Sequence, residues 1–226
     1  MSKKAAIYHF TDRSEKRPST YMQELARLER FAHNLGYSDV TTFCDMSLRT
    51  CDHAEFRRLM TDIDSFDAVI TKDFYHLSKN TMKSISFMRE LENRGISIHS
   101  IENGTFEFND SPPSNKRLRV ATYYSRIDTG CDLNNIFSVQ NDILRVFVTK
   151  KTCWQLVGQY SDDCATERDS ERLQLEALVH NKDSYDLVVV HNFSSLHYRT
   201  ARLCHIRNEL KKDIYSLQEG LLRYTE

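Results

Sequence analysis

Apolar and polar residues along this chain switch repeatedly between a two-residue and a 3.6-residue period. Ala5 to His9 is a short apolar run of strand length. Tyr21 to Leu35 then places Leu25, Leu28, Phe31 and Leu35 on one helical face, and Gly36 stops that helix. Val40 to Cys44 predicts a second strand. Asp52 predicts a cap for a helix running through Ile63, with Phe56, Leu59, Met60 and Ile63 on one side. Ala68 to Thr71 predicts a buried strand, Ser78 to Glu92 a third helix and Ile96 to Ile101 a fourth strand. Strands separated by helices predict a mostly parallel sheet with helices on both faces.

The same order recurs. Thr122-Tyr123-Tyr124 matches Ala6-Ile7-Tyr8, and an aspartate follows four residues later in each half, Asp12 and Asp128, at a separation of 116. The helix segment Leu25 to Phe31 recurs as Asn141 to Phe147, also at 116. Phe66 to Phe74 recurs as Tyr185 to Phe193 at 119, and Gly104 closes the first half as Gly220 closes the second, at 116. Small drifts of this kind expected from loop insertions point to a duplication. Between the halves, Asn109 to Asn115 holds two of the three prolines, Pro112 and Pro113, together with several turn formers. The expected organisation is a first domain over 1–108, a linker over 109–116 and a second domain over 117–226.

Composition narrows the class. With 40% hydrophobic and 28% charged residues, the 226-residue chain has enough apolar side chains to build cores. Its formal net charge of -1 gives no surplus of Lys and Arg for gripping a duplex, so DNA binding has no support from the total. The local cluster Lys116, Arg117 and Arg119 reads as a solvated segment. No apolar run approaches the ~20 residues of a membrane span. Met1-Ser2-Lys3-Lys4 leads straight into the first strand, without a signal-peptide core, so a cytoplasmic protein is expected. The six cysteines form no CxxC pair and are expected as free thiols. Cys44, Cys51 and His53 lack an evident fourth zinc ligand. No cofactor is expected.

Several of these residues together resemble the catalytic domain of the serine recombinases, the resolvase and invertase family. Gly36-Tyr37, Phe43-Cys44-Asp45, Phe56 to Met60 and Leu77-Ser78 sit in register with that family's pattern. The resemblance implies an α/β fold of two tandem resolvase-like domains, each a mostly parallel sheet flanked by helices on both faces. In that family a strand ends in Tyr-x-Arg-x-Ser, and the serine hydroxyl attacks a DNA phosphodiester while clustered arginines neutralise the phosphate.

The positions that would carry this chemistry are altered. In the first half Tyr8 is kept, but Phe10 stands for the arginine and Asp12 for the serine. The helix-start arginine falls at His53, and the family's Asp-Arg-Leu-Ser-Arg reads Tyr75-His76-Leu77-Ser78-Lys79. In the second half Tyr124 and Arg126 match, with Asp128 at the serine position. The helix-start arginine there is Arg172 if the offset is 119 and Ser170 if the loop is shorter; the last motif reads Ser194-Ser195-Leu196-His197-Tyr198. The vestigial site is thus Tyr8, Asp12, Asp45, His76 and Lys79 in one half, and Tyr124, Arg126, Asp128 and Asp162 in the other. A carboxylate at the nucleophile position repels the phosphate by about 1 kcal/mol at ~4 Å in water, and by more in a drier site. Losing one donor to a transition-state anion costs ~10²-fold or more in rate. A pseudoenzyme is expected.

Other readings stay open at this level. Ser14 or Thr129 could serve as a nucleophile. Asp12 with Asp45, and Asp128 with Asp162 and Asp163, could hold Mg²⁺ at the carboxyl ends of adjacent strands. The dimerisation helix and DNA-reading module that the resemblance would imply are not visible, so the partner is expected to be a protein, an active recombinase among the candidates, within the setting of DNA recombination or a mobile element. The halves could also pack as an internal pseudo-dimer through Met82, Ile85 and Met88, although burial on their own sheet explains these residues equally well. A ligand-binding sensor is the third class.

Overall fold

The computed structural model describes residues 2–12, 18–47, 53–109, 116–127, 134–164 and 172–224. Two compact units emerge, Met1–Phe106 and Glu107–Glu226.

The first unit runs β1 (Lys4–Asp12), α1 (Pro18–Asn34), β2 (Asp39–Ser47), α2 (Ala54–Thr61), β3 (Ala68–Thr71), α3 (Thr81–Asn93), β4 (Ser97–Ser100) and β5 (Gly104–Thr105). The sheet order is β2-β1-β3-β4-β5, parallel throughout except for the last pair. Alternation along β1 decides what each face buries. Ala5 and Ile7, with Ala68 and Ile70 of β3, pack against Leu28 and Ala32 of α1. Tyr8 faces the other way and sets its ring edge-on against Phe56 of α2, 5.0 Å between centroids. Burying a side chain such as Leu28 in this way contributes about 1.5–3 kcal/mol. Gly36 follows α1 with φ +90°, a left-handed turn that a residue with a Cβ adopts only with strain.

The second unit runs β6 (Phe108–Asn109), β7 (Leu118–Ile127), α4 (Asn134–Thr149), β8 (Trp154–Cys164), α5 (Leu173–His180), β9 (Leu187–Val190), α6 (Thr200–Leu210), β10 (Asp213–Ser216) and β11 (Gly220–Leu222). Its order is β6-β11-β10-β9-β7-β8. Read from the other edge, β8-β7-β9-β10-β11 repeats the strand order of the first sheet. Leu118, Val120, Leu187 and Val189 pack against Leu144 and Val148 of α4, the counterpart of the α1 face.

Two sequence expectations change. Phe108 and Asn109 pair antiparallel with Leu222 and Leu221, so they form an edge strand of the second sheet. The first domain therefore ends at Phe106, not at 108, and Asn109 is sheet rather than linker. Of the three α3 residues considered for a contact between the halves, Ile85 and Met88 are buried and Met82 alone is exposed. The basic cluster also divides. Arg119 lies in β7 and forks onto Asp186, 2.9 Å from Nη2 to Oδ1, while Lys116 and Arg117 are exposed.

Candidate functional site

Each unit presents the same buried anchor where its first two strands end. In the first, the Asp45 carboxylate accepts the Tyr8 hydroxyl at 3.1 Å and the backbone N–H groups of Glu55 and Phe56 at 3.0 and 2.9 Å. The two amides belong to the first turn of α2, whose N-terminus carries partial positive charge, and Asp45 fastens β2 to it. In the second, Asp162 accepts the Tyr123 hydroxyl at 3.0 Å and the N–H groups of Gln174 and Leu175, each at 2.9 Å. Burial first, and then the neighbouring carboxylate, push both phenols far above the usual tyrosine range, so both stay protonated.

This equivalence corrects the sequence alignment by one residue. Tyr8 pairs across the sheet with Thr71, and Tyr123, 115 positions on, pairs with Val190. Phe10 faces Asp45 in register, and Ser125 faces Asp162. The counterparts of Tyr8, Phe10 and Asp12 are thus Tyr123, Ser125 and Ile127, not Tyr124, Arg126 and Asp128. Tyr124 packs with the α4 core, on the opposite face of the sheet. Since side chains alternate faces, a slip of one residue exchanges the whole set. The doublet Tyr123-Tyr124 hid the slip, and β8 carries one extra residue opposite the Val120/Ala121 step.

Asp45 and Asp162, considered above for Mg²⁺, are engaged within the protein. Both oxygens of each carboxylate already accept protein donors, and these carboxylates act as helix anchors. Among the described residues no group of three or more His, Cys, Asp or Glu is arranged to hold a metal ion. Asp12 ends β1 in register with Ser47, but its side chain lies outside the described residues, as do those of Arg126 and Asp163. Ser14, Cys51, Asp52, Asp128, Thr129 and Ser170 lie outside them entirely. The cap expected from Asp52 is supplied at the described N-terminus of α2 by Asp45.

Above each anchor the two units differ. In the first, a cavity of about 450 Å³ opens between α2, the turn at Phe74–His76 and α3. Phe10, Phe56, Tyr75 and Phe87 wall it, with His53, His76, Lys79 and Lys83. His76 lies 2.9 Å through Nδ1 from Asp73 Oδ1, and the two brace the turn. Burial would raise the Asp73 carboxyl, but the hydrogen bond and charge of His76 outweigh it and hold it below its usual range. Lys79 sits over the Tyr75 ring, Nζ 5.7 Å from the centroid.

In the second unit the corresponding place is lined by different side chains. Ser125 donates its hydroxyl to the Ser195 carbonyl at 2.6 Å, and both side chains are buried. Arg172 occupies the N-cap of α5 as His53 occupies that of α2, which settles the open choice at that helix start for Arg172 over Ser170. Its guanidinium is 2% exposed, donates to the Leu196 carbonyl, and leaves Nε without a hydrogen-bond partner. A cavity of about 400 Å³ lies between α5 and α6, lined by Arg172, His197 and Arg202 and also by Glu176 and Glu209.

Residues 13–123 match the protein family described as "Resolvase, N terminal domain". This stretch is resolvase-like and supports a place among the serine recombinases. The match covers just under half of the chain. No curated protein matches it. Among solved structures, the N-terminal catalytic domain of TP901-1 integrase is similar at 19% identity with a TM-score of 0.38, over 66% of this chain and 98% of that one. A resolvase family site-specific recombinase from Streptococcus pneumoniae is similar at 17% identity and a TM-score of 0.37, over 64% and 93%. An ABC transporter periplasmic solute binding protein from Actinobacillus succinogenes with bound D-allose follows at 12% and 0.29, over 84% and 69%. At scores this low the structural likenesses carry no weight. No helix among the described residues is long and apolar enough to cross a membrane.

Sequence reasoning missed Tyr123, Ser125, Lys83 and Phe87 as members of the two sites. The signal for Phe87 was available, since it stands one helical turn after Lys83 on α3. Ser125 could be found only through strand register.

Proposed function

We propose that this chain is a catalytically inactive relative of the serine recombinases, made of two tandem degenerate copies of their catalytic fold. It acts by engaging another protein, and an active recombinase of a mobile element is the partner class the resemblance favours. One observation carries the reading: Phe10 and Ser125 face the two anchor carboxylates in register, where the resemblance places an arginine that would neutralise phosphate. Neither residue can offset charge building on a phosphodiester oxygen in the transition state. The last motif offers His76 and Lys79 in one unit and Ser195 and Tyr198 in the other, so the cluster of arginines is reduced throughout.

An interaction role draws support from α4, where Val139, Ile143 and Val146 leave apolar side chains 40–52% exposed at helical spacing. Purified protein incubated with supercoiled DNA is expected to give no covalent protein–DNA adduct under denaturing electrophoresis. An adduct abolished by Ser14→Ala would overturn the proposal. A gel shift with duplex DNA is expected to show no complex that weakens steeply with salt, the behaviour that phosphate binding requires.

A further inference from the structure

We propose that the open cleft of the first unit binds a mononucleotide-class anion, a flat heteroaromatic ring carrying a phosphate, in its free form. The proposal rests on the reading above that this cleft no longer performs strand cleavage. Three features carry it. The walls are aromatic: Phe10, Phe56, Tyr75 and Phe87 are all partly exposed around one cavity. Four aromatic side chains left half-wet around one hollow favour an occupant with a π-face. Phe56 and Phe87 stand 5.2 Å apart, tilted by 56°, and Phe10 lies 5.6 Å from His53, so two aromatic pairs border the hollow.

The second feature is charge. Lys79 and Lys83 line the rim, both exposed, and no carboxylate lines the cavity among the described residues. Lys83 sits in the first turn of α3, where the helix dipole adds to its attraction for an anion. The third is size: about 450 Å³ lies within the range of small-ligand pockets. The second unit makes the contrast in lining, not in size: its cavity of about 400 Å³ is lined by Arg172 and Arg202 with Glu176 and Glu209 and carries no phenylalanine or tyrosine.

The test is isothermal titration of the full chain with adenosine 5′-monophosphate, adenosine, inorganic phosphate and a short single-stranded oligonucleotide. The monophosphate is expected to bind at a Kd below about 1 mM, with adenosine and phosphate each at least tenfold weaker, since the ring and the charge act together. Lys79→Ala with Lys83→Ala is expected to weaken the monophosphate at least tenfold and to leave adenosine unchanged. Both lysines are exposed, so folding is not at stake, and circular dichroism confirms it. Arg202→Ala in the second unit is expected to change nothing. No heat from the monophosphate at millimolar concentration overturns the proposal, as does equal affinity in the double-lysine variant. Binding of the oligonucleotide without the monophosphate assigns the cleft to nucleic-acid strands and also overturns it. The outcome is independent of the adduct assay, so failure of one reading is distinguishable from failure of the other.

Discussion

The two clefts occupy equivalent places in the two sheets and are lined by different chemistry. In the first unit the cleft is walled with aromatic rings, with lysines at the rim. In the second Ser125 donates its hydroxyl to the Ser195 carbonyl, Arg172 is buried and donates to the Leu196 carbonyl, and arginines and glutamates line the cavity. Beneath both, the tyrosine–aspartate–helix anchor is unchanged. The difference teaches that the anchor serves the fold and the cleft does not. A buried carboxylate with three donors is costly to lose, whereas residues facing a solvent-filled hollow can be exchanged at small cost.

The largest test of this comparison is removal of the anchors. Asp45→Ala and Asp162→Ala each strip acceptors from a buried tyrosine hydroxyl and two helix amides, and each is expected to cost about 2–4 kcal/mol in urea unfolding. Costs differing by more than about 1.5 kcal/mol would show that the anchors are not equivalent. Next comes Arg172→Met. A buried guanidinium with a backbone carbonyl for partner has desolvation working against it, so this variant is expected to be neutral or more stable by about 1 kcal/mol. The exposed counterpart, His53→Met, is expected to change stability by less than about 0.5 kcal/mol. A marked loss in Arg172→Met would mean that the cation braces the second cleft.

Two smaller tests use pH and again separate the units. Burial holds the His99 imidazole of the first unit below its usual value of 6.5. The neutral form is favoured in the folded state, so this contribution is complete above about pH 6.5 and is lost as pH falls through the folded value. Melting temperature is expected to decline on that acid limb, and His99→Gln is expected to flatten it. In the second unit Asp186 is held at about 2, first by its hydrogen bond from Arg119. Its contribution is complete above the usual carboxylate value of 3.8 and is lost as pH falls towards 2. The pair is largely solvent-exposed, so Asp186→Asn is expected to give the smallest change, confined to pH below about 4.

Much of the architecture could be read from periodicity. Ala68–Thr71 and Leu187–Val190 were legible as buried strands because four consecutive apolar or β-branched residues between turn formers have few other uses. Gly36 marked the end of α1 because its positive φ has little alternative. The edge strand at Phe108–Asn109 was not legible: two residues beside a proline-rich stretch carry no period, and only pairing with β11 makes them sheet. The site was half legible. Asp45 and Asp162 stood out as carboxylates at strand ends, but a free ligand-binding carboxylate and a helix anchor look alike until the N–H groups of the next helix are in place.

Residue type and spacing alone thus settled the alternation of strands and helices, because it depends on local period. Tertiary structure alone settled which tyrosine answers Tyr8, what the aspartates hold and which side chains line each cleft. Each of these turns on strand register and on burial, and a shift of one residue reverses the face on which every side chain of a strand lies.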